Sequence, residues 1–203
     1  MRAIASLAAI LGTMSAGLGA EGDKRVWTFD NDTPGRIAQG FVAAVGTWTV
    51  VEAGGGKVLA QTATNSDPTF NIALASDTTA KDVDISVEMT AITGEFDRGG
   101  GLVWRAKDAR NYYLARYNPS EDNYRVYKVV DGKRTQFQNA DIAHTSGAHT
   151  LRITMRGDHI ECFYDGKKVL DARDSTFAGA GKIGLWTKSD AQTQFDNLTL
   201  KAE

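Results

Sequence analysis

Gly101-Leu102-Val103-Trp104-Arg105, Asn111-Tyr112-Tyr113-Leu114-Ala115-Arg116-Tyr117 and Tyr124-Arg125-Val126-Tyr127-Lys128-Val129-Val130 are the runs whose reading decides the fold. Each is short and rich in β-branched and aromatic residues. The polar stretches 107–110 and 118–123 separate them, and that pattern predicts an antiparallel meander. Asp131-Gly132 and Asp165-Gly166 sit between β-type runs. Aspartate followed by glycine tolerates the positive φ of a tight hairpin, so both predict strand reversals.

The same grammar extends outward in both directions. Residues 82–92 alternate, with Val83, Ile85, Val87 and Met89 on one face and Asp84, Ser86, Glu88 and Thr90 on the other. That is the period of a half-buried strand. Residues 26–29, 46–51 and 57–61 read as earlier strands, and 150–155, 159–164, 182–187 and 194–201 as later ones. No run beyond the first twenty residues carries a helical period over a useful length. Many short strands with closely spaced turn signals predict an all-β sandwich or jelly roll of two antiparallel sheets.

The first residues have a different character. Arg2 is the only charge before Glu21, residues 3–14 are largely apolar, and small residues follow to Ala20. A basic start, an apolar centre and a small-residue exit describe a secretory signal peptide over residues 1–20, and hence a secreted or periplasmic protein. The apolar run is shorter than the roughly 20 residues of a membrane span. Residues 21–203 are then expected to form one sandwich domain with 22 basic and 25 acidic side chains, a net charge of −3. That balance argues against nucleic acid or an anionic membrane as partner. Cys162 is the only cysteine, so no internal disulfide forms; within Ile160-Glu161-Cys162-Phe163-Tyr164 it reads as a small buried hydrophobe.

Several apparent motifs dissolve on inspection. Gly179-Ala180-Gly181-Lys182-Ile183-Gly184 fits a dinucleotide fingerprint in letters, yet a strand follows it where a helix is required. Glu95-Phe96-Asp97-Arg98-Gly99-Gly100 starts like the E-x-D-x-x-E strand of sandwich-fold β-glucanases, but Gly100 replaces the third acid. His144, His149 and His159 are dispersed without zinc spacing, and His149 reads as structural. Asp30, ending the first strand, and Asp196, on the last, are candidates for a structural calcium or other divalent ion if those strands are neighbours.

A polar and aromatic set remains in the meander. Tyr112, Leu114 and Arg116 share one strand face, and so do Asn123, Arg125 and Tyr127. If neighbouring strands turn both triplets to one concave side, they make a groove suited to sugars, with Trp104, Arg105 and Lys188 as further candidate ligand-binding residues. Aromatics stack on sugar C–H faces while guanidinium groups bind hydroxyls. The bland alternative places half of these aromatics in the core.

Residues 111–116 together with 121–136 resemble the laminin-G-like 3-keto-disaccharide hydrolase family. Gly101-Leu102-Val103-Trp104-Arg105, Gly184-Leu185-Trp186-Thr187-Lys188-Ser189-Asp190 and Phe195-Asp196-Asn197-Leu198 are similar to its other strands. The resemblance implies a concanavalin-A-like sandwich, export, and a carbohydrate substrate or ligand. It also implies chemistry on glycosides oxidised at C3, where the ketone acidifies the neighbouring hydrogens and a base promotes loss of the aglycone. On that reading Arg116 or Arg125 polarises the ketone and Glu121 or Asp122 is the base. The chain departs from the family at Ala148, where a tryptophan is usual. Turnover of keto-glycosides is the first expectation. A lectin-like module without turnover is the second, and an adhesion domain with a rim calcium and a protein partner the third.

Overall fold

The structure, a computed structural model, describes residues 24–202; the expected leader lies outside the described residues. Fifteen strands follow one another: β1 (Lys24–Trp27), β2 (Phe41–Val45), β3 (Trp48–Ala53), β4 (Gly56–Gln61), β5 (Phe70–Ala75), β6 (Val83–Thr93), β7 (Gly100–Asp108), β8 (Asn111–Asn118), β9 (Asn123–Val130), β10 (Lys133–Asp141), β11 (Ala148–Arg156), β12 (His159–Tyr164), β13 (Lys167–Arg173), β14 (Lys182–Lys188) and β15 (Gln192–Ala202). The described residues contain no helix. One sheet runs β13-β12-β11-β6-β15-β4-β3, with β1 also paired to β15, and the other runs β10-β9-β8-β7-β14-β5-β2. Every pairing is antiparallel. This is the two-sheet antiparallel sandwich that the strand pattern predicts, and the concanavalin-A-like, laminin-G-like architecture that the family resemblance implies.

Turn chemistry sets the hairpins. Asp131 and Gly132 have φ of 52° and 83°, and Asp165 and Gly166 have 47° and 79°. Two successive positive φ values match the twist of the strands they join. Gly184, the last glycine of the fingerprint-like run, lies within β14, where an added Cβ would stand 2.3 Å from the Ala73 carbonyl oxygen. Close strand approach, rather than a phosphate, explains that glycine.

Alternation along the strands then builds the core between the sheets. Val83, Ile85, Val87 and Met89 of β6 meet Leu102 and Trp104 of β7 and Tyr113, Ala115 and Tyr117 of β8. Gly100 faces this core as well: an added Cβ would stand 2.9 Å from Phe195 Cζ. The position where the glucanase motif has an acid therefore points away from solvent. Cys162 is wholly buried, and burial raises its thiol pKa, as expected of an inert structural cysteine.

The opposite face of the seven-stranded sheet carries a second apolar cluster. Ile72, Val103, Tyr112, Leu114, Val129 and Trp186 all belong to it and all are fully buried. Among the described residues no strand layer covers this face. Arg134 of β10 lies 5.0 Å from the Phe70 ring of β5, although five strand spacings separate the two. At about 4.8 Å per spacing that is roughly 24 Å along a flat sheet, more than two side chains can bridge. The sheet is therefore strongly curved, and this face is its concave side.

Candidate functional site

The concave face gathers its polar residues at one end. In the β8–β9 register Arg116 pairs with Arg125, Leu114 with Tyr127, and Asn118 with Asn123. Directly opposed residues share a face, so both triplets singled out in the sequence come together here. Arg116 is 1 % exposed and is the hub. Its Nη2 donates to Glu121 Oε2 and Asn123 Oδ1, each at 3.0 Å, and its Nη1 faces Asp97 Oδ2 at 3.4 Å. Arg125 Nη1 donates to Glu121 Oε2 at 2.6 Å, and its Nε to Asn139 at 2.9 Å. Asn118 donates to both Asp97 and Glu121. Lys188, from β14, pairs with Asp67 and stands 3.8 Å from Asp97.

Asp97 reaches this network because of Asp190. The Asp190 carboxylate accepts from the backbone N–H groups of Glu95, Phe96 and Asp97, which pins their loop against β14–β15. The two network acids differ sharply in character. Burial raises the Asp97 pKa, against the opposing pull of Arg116 and the Gly99 amide. For Glu121 burial acts in the same upward direction but is outweighed by Arg116, Asn123 and Arg125, which hold the carboxyl at about 2. Glu121 is thus a permanent carboxylate and a poor proton acceptor near neutrality.

Beside the polar end lies an aromatic floor made by Tyr112, Tyr127, Trp186 and Phe70. Trp186 Nε1 donates to the Tyr112 hydroxyl at 3.1 Å, and burial pushes that phenol up to about 12. Phe70 and Trp186 have ring centroids 5.5 Å apart. Arg134 lies over the floor, its guanidinium carbon 4.6 Å from the Tyr127 ring and 5.5 Å from Trp186. Sequence reasoning passed over Phe70, Arg134, Trp186 and Asp97 as site residues. The glucanase-like letters around Asp97 were the only local signal for any of them.

Other expected site residues are placed elsewhere. Trp104 is fully buried in the core, stacked on Tyr113 with Nε1 3.1 Å from Met155 Sδ. Its neighbour Val103 is the concave-side residue at that point of β7, so the sequence reading assigned the wrong parity. Arg105 has φ 47° at a bulge and turns to the far end of the sandwich. There it donates to the carbonyls of Lys81, Phe177 and Gly157 and pairs with Asp82, a structural tie between loops. Asp122 (φ 50°) shapes the β8–β9 turn, and its carboxylate accepts from the His144 amide at 2.8 Å. It is engaged by the turn rather than facing the groove as a base.

Asp30 and Asp196 border one cavity of about 490 Å³ together with Glu88. Burial raises the Asp196 pKa, and Glu88 and Asp30 add like charge. Lys57 already donates to the Asp30 carbonyl at 2.8 Å, and its backbone N–H to the Asp30 carboxylate at 3.1 Å. The three acids do not bring their oxygens within 4.8 Å of one another. Among the described residues that closeness belongs to His159, Glu161 and Asp171, with Lys168 bridging the two acids. His149 is held between Asp165 and Thr145 and stacks on Tyr164 at 4.9 Å.

Levanase of Bacillus subtilis (strain 168) is 28 % identical over 170 residues, which cover 79 % of this chain and 22 % of levanase. The chain thus spans about a fifth of that relative. The carbohydrate binding module CBM66 from Bacillus subtilis superposes with a TM-score of 0.69 at 26 % identity, covering 80 % of this chain and 96 % of the module. A Bacillus licheniformis β-glucanase superposes with a TM-score of 0.63 at 13 % identity over 90 % of this chain and 99 % of its own, a likeness of fold alone. The model of the 3-keto-alpha-glucoside-1,2-lyase-like domain matches residues 26–201, and the chain belongs to that family.

Proposed function

We propose that the concave face of the seven-stranded sheet is a carbohydrate-binding site, with Glu121 and Arg125, ordered by the buried Arg116 and Asn123, as its hydroxyl-recognising end and the half-buried Phe70 as its stacking ring, Tyr127 and Trp186 lying buried beneath. The observation that carries this reading is the Arg116 network: one buried guanidinium shared by Glu121, Asn123 and Asp97 and set beside aromatic rings. Such a network is ordered before ligand arrives, so little conformational entropy is lost on binding. Glu121 offers acceptor lone pairs and Arg125 donor N–H groups toward solvent, with side chains 40 % and 29 % exposed. A vicinal diol needs donors and acceptors side by side. The likeness to a carbohydrate binding module over nearly its whole length supports the same reading.

The test is calorimetric titration of the protein with a panel of mono- and disaccharides, repeated on Arg125→Ala. Binding that weakens about tenfold or more in the variant agrees with the proposal. Unchanged affinity in Arg125→Ala places the sugar on another face.

A second reading, turnover of 3-keto-glycosides, is favoured by the family match and by Asp97. This carboxyl has a raised pKa and stands 3.4 Å from Arg116. A base there would take the C2 hydrogen beside the C3 ketone. The C2–H electron pair would become the C1–C2 double bond, the aglycone oxygen would leave C1, and the proton taken from C2 would pass from the Asp97 carboxyl to that oxygen. Arg116 would stabilise the negative charge developing on the ketone oxygen. Release of free sugar from a 3-keto-disaccharide, lost in Asp97→Asn, is the expected result. No release by the intact protein leaves binding alone.

A further inference from the structure

We infer that the sugar taken by this face is acidic and that Arg134 receives its carboxylate, an inference that rests on the concave face being the sugar site. The ground is an imbalance among the cations there. Arg116 has Asp97 and Glu121, Arg125 has Glu121, and Lys188 has Asp67. Among the described residues Arg134 has no carboxylate within ion-pair distance, Asp97 and Asp67 acting on it only at longer range, and its Nη1 is buried without a hydrogen-bond acceptor.

Three rings surround the guanidinium instead, those of Tyr127, Phe70 and Trp186, at 4.6, 5.0 and 5.5 Å. Aromatic faces stabilise the charge above and below its plane. They do nothing for the N–H donors, which lie in the plane. Arginine cannot shed its proton to relieve the mismatch, so the donors stay charged and partly unsatisfied. Burial of such a group costs free energy unless something supplies acceptors. A sugar hydroxyl supplies one acceptor and no charge. A carboxylate supplies two oxygens at the spacing of the guanidinium fork together with a negative charge in direct contact.

The placement suits this role. In the β9–β10 register Arg134 opposes Val129, on the concave side, and Tyr127 opposes Gln136. The guanidinium therefore lies over the aromatic floor, beside the end where Glu121 and Arg125 are open to hydroxyls. A pyranose lying along the face would present ring hydroxyls to that network and a C6 carboxylate to Arg134.

The experiment is calorimetric titration of the intact protein with three matched pairs: glucose and glucuronate, galactose and galacturonate, mannose and mannuronate. At least one acid should bind about tenfold or more tighter than its neutral partner, with the advantage shrinking as salt is raised. Arg134→Gln should bring the acid-to-neutral ratio to about one. Arg134→Lys, which keeps the charge but loses the fork, should retain part of the preference; thermal unfolding of both variants checks their fold. Equal binding within every pair, or an undiminished preference in folded Arg134→Gln, overturns the assignment while leaving sugar binding intact. No heat with any of the six overturns both.

Discussion

Replacing Glu121 by glutamine separates the electrostatic part of the site from its packing. The carboxyl has a folded pKa of about 2 against an ordinary value of 4.5. Taken at face value, that difference is about 3.4 kcal/mol of stabilisation at neutral pH. The side chain is 40 % exposed, so solvent screening reduces the expected contribution to about 1–2 kcal/mol. The sign follows from the direction of the shift. A depressed carboxylate pKa stabilises the fold above the unfolded value, and the contribution fades as pH falls from about 4.5 toward 2. Urea unfolding should therefore show Glu121→Gln less stable by about 1–2 kcal/mol at pH 7, a melting-temperature drop of about 2–8 °C for a domain of this size. Near pH 2.5 only about a quarter of that gap should remain, and it should close below pH 2. A gap of equal size at pH 7 and pH 2.5 would refute the charge-network account and point to packing instead.

Three further outcomes are expected. Trp104→Ala should cost about 3–5 kcal/mol in urea unfolding, because the indole fills the core between the sheets; a loss below about 1 kcal/mol would contradict that placement. Asp190→Ala removes the acceptor of the Glu95, Phe96 and Asp97 amides and should cost about 1–3 kcal/mol. Hydrogen exchange at those three amides should rise by more than tenfold, and unchanged protection would show that another contact holds the loop. Arg125→Ala, the groove variant tested above, should leave stability within about 0.5 kcal/mol, since its ion pair with Glu121 is partly exposed; thermal unfolding reads this directly.

The sequence by itself determined the class of fold and brought together half of the candidate site's residues. Period-2 alternation and Asp-Gly turns are local signals, set by the pleat and by positive φ, and they specify strands and hairpins without knowledge of distant residues. The β8–β9 groove triplets were legible for the same reason, being adjacent strands joined by a short turn. Strands β2 and β5 went unread, β10 and β13 were implied by their Asp-Gly turns without bounds, and Phe70 and Arg134 went unread as site residues. Local alternation also cannot say which parity of β7 faces inward, so Trp104 and Arg105 were assigned to a groove they do not enter. Only the tertiary structure decided these points. Sheet order places β5 and β10 five strand spacings apart, and curvature alone brings Arg134 onto Phe70. The bulge after Trp104 turns Arg105 to the opposite end, and Asp190 holds Asp97 against Arg116 across 93 residues of chain. Contacts of that range depend on how two sheets pack and bend, a property of the whole chain that no short window of residues encodes.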